Sequence, residues 1–156
     1  MFKKILPFCV FTCIMSANSA LATEALFKVI TASPAIPADG YSNSCTIYIH
    51  GQVVIEHNVN LFNLQKTLTA KEVKTVKLNS KDIKAVIAQA ALGKVTAKSL
   101  AGASTYQYFA YQKQADKSVQ TIPLLDKNPA VSFINDSPVI APVVDFIDGV
   151  CGNIEK

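Results

Sequence analysis

The stretch CTIYIHGQVVIEH, residues 45–57, constrains this fold more than any other in the chain. Two runs of β-branched and aromatic residues flank Gly51, and side chains of that kind fit a pleated, half-buried surface. A glycine at such a centre supplies the positive φ that a tight hairpin turn requires. The segment therefore predicts two antiparallel strands joined at His50-Gly51, with a sheet as the basis of the fold.

The N-terminal residues read as an export signal. Lys3 and Lys4 precede an apolar run from Ile5 to Met15, and Ala20-Leu21-Ala22 offers a small-residue cleavage site. Cleavage after Ala22 makes residues 1–22 the leader and residues 23–156 the mature chain, a length that suits one domain. No later segment approaches the roughly 20 apolar residues of a spanning helix, so the mature chain is expected in solution, secreted or periplasmic. Cys9 and Cys13 depart with the leader and occupy no lipid-attachment site. Cys45 and Cys151 remain, an even pair in an oxidising compartment, and read as one disulfide. A catalytic thiol or a metal pair would need an activating neighbour that neither cysteine has in sequence. Closing so long a loop stabilises by up to about 4.7 kcal/mol in the chain-entropy model, with realised values nearer 2–4 kcal/mol.

Along the chain, ALFKVIT (25–31) predicts a strand, and ASPAIPADG (32–40), with two prolines and Asp-Gly, an irregular connection. The segment KEVKTVKLNSKDIK (71–84) admits two readings. With Thr69-x-x-Glu72 as a capping box, one helix would run from about Ala70 to Ala91. Leu78 would then lie on the polar face, and Asn79-Ser80 would fall mid-helix, where both compete for backbone hydrogen bonds. As caps followed by Asp82 they fit better, so the favoured reading is a strand to Leu78 and a helix from Lys81 to Leu92, ended by Gly93. STYQYFAYQ (104–112) and VQTIPLL (119–125) predict a second hairpin about the turn KQADKS (113–118), with Pro123 arguing for an edge or a strand end. VSFI (131–134) adds a short strand. The last helix should take Ser137 as cap and Pro138 at its first position, bury Ile140, Val143, Val144 and Ile147, bend at Pro142 and stop at Gly149. Cys151 would lie just beyond its end. Hairpins with two separated helices imply an α+β fold, an antiparallel sheet with both helices packed on one face and one disulfide.

The chemistry-bearing residues are sparse. His50, Glu56 and His57 match no spaced metal motif, and the hairpin separates the histidines, so no metal or cofactor is expected. There is no Gly-x-Ser-x-Gly elbow and no phosphate-cradling glycine loop. Asp145 and Asp148 share a helical side, read as a solvated face. Tyr106 and Tyr108 share one face of their strand, Phe109 and Tyr111 the other. Sheet packing accounts for them, while exposed clustering of Tyr106 and Tyr108 would indicate a ligand or partner surface.

Charge is distributed unevenly. Residues 65–98 hold eight lysines and two acids, a net of +6, while the rest of the mature chain holds five lysines and nine acids, a net of −4. Such a field attracts anionic partners. The chain contains no arginine, hence no bidentate fork for guanine edges, which argues against sequence-specific nucleic-acid binding. Lys71, Lys74, Lys77, Lys81 and Lys84 suit an anionic membrane surface, a phosphorylated headgroup or another polyanion. At about 1 kcal/mol each they give roughly 5 kcal/mol, a dissociation constant of about 0.1–1 mM.

A cleavable leader, one disulfide and a compact α+β body, with CTIYIHGQVVIE and FIDGVCG as packing and disulfide contexts, resemble the small proteins that Gram-negative bacteria export by the Sec and type II secretion route. The resemblance implies a periplasmic or extracellular setting and an effector role. The leading expectation is a non-enzymatic exported binding protein with a lysine face for anionic lipid headgroups. The alternative is a peptidase inhibitor presenting the His50-Gly51 tip. A weak hydrolase dependent on His57 is a third class.

Overall fold

A computed structural model describes residues 24–32, 39–61, 66–98, 105–128, 131–152 and 154. The expected leader, residues 1–22, and Thr23 lie outside them, as does most of the Pro-rich connection. The described chain forms β1 (Ala25–Ala32), β2 (Asp39–Tyr48), β3 (Gln52–Leu61), β4 (Lys66–Thr75), α1 (Ser80–Ala90), β5 (Val95–Lys98), β6 (Thr105–Lys113), β7 (Val119–Lys127), β8 (Ser132–Asn135) and α2 (Ile140–Cys151). The strands make one eight-stranded sheet in the order β4-β3-β2-β1-β6-β7-β8-β5, with every neighbouring pair antiparallel. The fold is thus α+β, dominated by its sheet. β4 and β5 are the two edges, so α1 lies in the connection that carries the chain from one edge to the other.

The first hairpin forms as its sequence dictates. Gly51 has φ +79°, and a Cβ there would overlap the Val76 carbonyl oxygen, so both conformation and space demand glycine. The second hairpin turns at Gln114–Ser118, where Gln114 N–H donates to Ser118 O at 2.9 Å. There Asp116 accepts from the Ser118 hydroxyl and N–H, and these bonds hold its carboxyl below the usual carboxylate range.

Two bulges enlarge the core. Register slips between Ala25 and Phe27, so adjacent Leu26 and Phe27 are both buried. A second slip, between Tyr108 and Phe109, inserts Leu124 beside Leu125, and both are buried too. Pro123 lies at this bulge inside β7, and not at a strand end. Within β7, β8 pairs only with Leu125 and Asp126, so the missing N–H of Pro123 breaks no bond to β8. The core joins these residues to Val29, Ile47, Val53, Ile55, Ala110 and Ile122 from the strands, Ile87 and Ala90 from α1, and Ile140, Val143 and Ile147 from α2. Phe27 meets Phe146 of α2 edge-on at 6.0 Å.

Several boundaries differ from expectation. β4 ends at Thr75 and not Leu78; Val76 and Leu78 pack against the core from an irregular link. α1 begins at Ser80 after Asn79, whose amide bonds Asp82. α2 begins at Ile140, later than Ser137-Pro138, because Ser137 turns its hydroxyl to Gln89 O at 3.2 Å and so ties α1 to the start of α2. Pro142 then falls in the first turn, where no N–H is needed. The helix runs through Gly149 to Cys151, and Gly152 at φ +70° ends it. β5, four residues long, has too little pattern to be found in sequence. Cys45 and Cys151 form the expected disulfide, with Cα atoms 6.0 Å apart across 106 residues of sequence. Among the described residues no helix is long and apolar enough to cross a membrane.

Candidate functional site

The five lysines do not form one set. Cross-strand partners share a face of a sheet and successive residues alternate. Lys71 pairs with Glu56 and Lys74 with Val53, so Lys71 and Lys74 lie on opposite faces of β4. Lys71 forms an ion pair with Glu56 at 3.8 Å, both side chains exposed. Lys77 lies in the irregular link after β4, and Lys81 and Lys84 sit three residues apart on one side of α1. Lys74, Lys77, Lys81 and Lys84 form no ion pair among the described residues. Together they occupy the corner where edge strand β4 gives way to α1. Of the five, Lys84 alone lines a cavity of about 330 Å³, which it shares with Glu24, Leu26, Tyr111 and Lys113. Burial, and then Tyr48, push the Tyr111 phenol above its ordinary pKa.

The His50-Gly51 turn is buttressed. Ile49 N–H donates to Glu24 O at 2.9 Å, Gly51 N–H to Tyr48 O at 2.8 Å, and Val76 N–H to Gly51 O at 2.8 Å. His50 is exposed at the turn, while His57 is half-buried far along β3, opposite Asn43 and Ala70. The histidines therefore do not converge. Among the described residues no three His, Cys, Asp or Glu side chains are grouped to hold a metal.

The tyrosines meet a different fate. The registers align His57, Asn43, Thr31, Tyr106 and Lys127 as one row across five strands, and Ile55, Cys45, Val29, Tyr108 and Leu125 as the next row on the same face. The disulfide anchors the end of α2 to the second row at Cys45. Beside that helix end is a cleft of about 440 Å³ lined by Val29, Tyr106, Tyr108, Lys127, Asp148, Gly152 and Ile154. The tyrosine rings are stacked, 15° from parallel with centroids 6.5 Å apart. Tyr108 is buried, and its hydroxyl donates to Asp148 Oδ1 at 2.9 Å. Asn43, also buried, donates its amide to Ile154 O, which fixes the tail beyond α2. In the first row Thr31 is 2% exposed and its hydroxyl has no hydrogen-bond partner among the described residues. The cleft thus combines aromatic rings, one carboxylate and one ammonium group.

Asp148 is exposed, as a solvated face predicts, and from there it also accepts from a buried tyrosine, a contact not foreseen from the sequence. The signal was its spacing: Asp148 follows Val144 by four residues and precedes Cys151 by three, so it borders the buried stripe. No sequence signal marks Lys127, which reaches the cleft only through the β6–β7 register. A third cavity, about 400 Å³ and predominantly apolar, lies between α1 and α2 over Phe27. Comparison with known proteins returns no match: no protein family, no curated sequence and no solved structure matches this chain.

Proposed function

We propose that this chain is an extracytoplasmic binding protein, not an enzyme, that docks on anionic membrane surfaces through the corner formed by Lys74, Lys77, Lys81 and Lys84. In this reading the two helices cover one face of the sheet, and the corner lies where the chain leaves β4 to cross that face. The observation that carries the reading is that none of these four lysines has a carboxylate partner among the described residues, whereas Lys71 is paired with Glu56. An unpaired, solvated ammonium group keeps its field available to an external anion. The disulfide supports an oxidising compartment.

Because the four lysines are spread over β4, the link and α1, their attraction is diffuse and additive, about 1 kcal/mol per lysine near an anionic leaflet. Four of them supply roughly 4 kcal/mol, a dissociation constant of about 1 mM, which suits avid or transient attachment. Sedimentation with phosphatidylcholine vesicles, with and without phosphatidylserine, tests this. Phosphatidylserine should increase binding, and rising salt should abolish the increase. Replacing Lys74, Lys77, Lys81 and Lys84 together by glutamate should remove it, and an increase that survives the replacement sinks the proposal. Equal attachment to heparin would move the target from lipid to polyanions in general.

A further inference from the structure

We infer that the cleft beside the end of α2 is a binding site for a small zwitterion, its cationic end held by Asp148 and the Tyr106 ring and its anionic end by Lys127. The volume, about 440 Å³, falls within the range of small-molecule sites. Lys127 and Asp148 line the same cleft but form no ion pair with each other or with any other described residue. Two opposite charges that share a cavity without pairing match a ligand whose own charges are separated. Both residues are exposed and so within reach of a ligand, and a singly charged one would engage only one of them.

The polarity of the ligand follows from the surroundings. The C-terminal end of a helix carries partial negative charge, and Asp148 and Gly152, at the end of α2, both line the cleft. Asp148 engages Tyr108 through Oδ1, which leaves Oδ2 for a ligand cation. The ring of half-buried Tyr106, stacked on buried Tyr108, adds a favourable quadrupole for an ammonium group, most strongly an alkylated one. Lys127, on the far strand of the cleft, is the complementary anion site.

The site is also held in advance of binding. The disulfide fixes Cys151 over the row that contains Val29 and Tyr108, and Asn43 holds Ile154. A preformed pocket avoids the ordering cost of a mobile one.

Calorimetric titration of the full disulfide-bonded protein tests the inference with two zwitterions, phosphocholine and 5-aminovalerate, and with the single charges choline and inorganic phosphate. At least one zwitterion should bind about tenfold or more tightly than either single charge, since it engages both groups. Phosphocholine ahead of 5-aminovalerate would assign an alkylated ammonium phosphate; the reverse order would assign an amino acid or peptide terminus. Asp148→Asn keeps an acceptor for Tyr108 and Lys127→Gln keeps the chain length, and each should lower zwitterion affinity about tenfold with thermal unfolding unchanged. Replacing the corner lysines should leave it unaltered. If neither zwitterion exceeds its single-charge counterparts, or if both variants bind as the parent does, the inference is overturned.

Discussion

The β4–α1 corner and the cleft under α2 both present charge, but in opposite ways. At the corner, Lys74, Lys77, Lys81 and Lys84 are spread over three segments and form no ion pair among the described residues, so each acts almost alone and water screens them. In the cleft, one ammonium and one carboxylate share a cavity with two aromatic rings, and a disulfide and an asparagine fix its wall. The first arrangement gives attraction without selectivity. The second gives selectivity with few charges, because a ligand must match a spacing and a shape. Number of charges is therefore a poor guide to which surface discriminates.

The largest perturbation that separates the two regions is loss of the disulfide. Cys45→Ala with Cys151→Ala should lower unfolding free energy by about 2–4 kcal/mol, measured by chemical denaturation. It should also weaken zwitterion binding far more than vesicle attachment, because Cys151 adjoins Gly152 of the cleft wall and the corner is on other elements. Equal losses at both sites would show that the regions are not independent.

Gly51→Ala acts in the opposite sense. Positive φ and the overlap with the Val76 carbonyl oxygen together should cost about 2 kcal/mol, read from the denaturation midpoint. Val76 opens the link that carries Lys77, so the displacement falls on the corner. Vesicle attachment should change while calorimetric affinity at the cleft holds.

The smallest expected effect tests the lysine set itself. Lys71→Ala removes an exposed ion pair and should alter stability by less than about 0.5 kcal/mol. Lys71 and Lys74 lie on opposite faces of β4, so Lys71→Ala should reduce vesicle attachment less than Lys74→Ala does. Equal reductions would mean that the membrane meets the edge of the sheet and not one side of the corner.

Local chemistry was easily read where one residue type decides it. Gly51 fixed a hairpin, Asn79-Ser80 a strand-to-helix change, and Cys45 with Cys151 a disulfide; all three are in the structure. The apolar spacing of Ile140, Val143, Val144 and Ile147 likewise foretold the buried side of α2. Boundaries were less legible because tertiary partners compete with local preference. Ser137 caps no helix since Gln89 takes its hydroxyl, and Gly149 does not end α2 since the disulfide and Gly152 set its end further on. β5 could not be found because four residues paired only with β8 carry almost no pattern of their own.

By itself the sequence determined the hairpins, the helices, the disulfide, the excess of lysine and the pairing of Tyr106 with Tyr108 on one face of a strand. Those follow from neighbours along the chain, through backbone geometry and periodicity. Only the tertiary structure decided that Lys71 is paired with Glu56 while Lys74 faces Val53, because that depends on which strand lies beside β4 and in what register. It alone brought Lys127 and Asp148, from β7 and α2, to the same tyrosines. Strand order and register set those distances, and they arise from burial summed over the whole sheet, which no short stretch of sequence encodes.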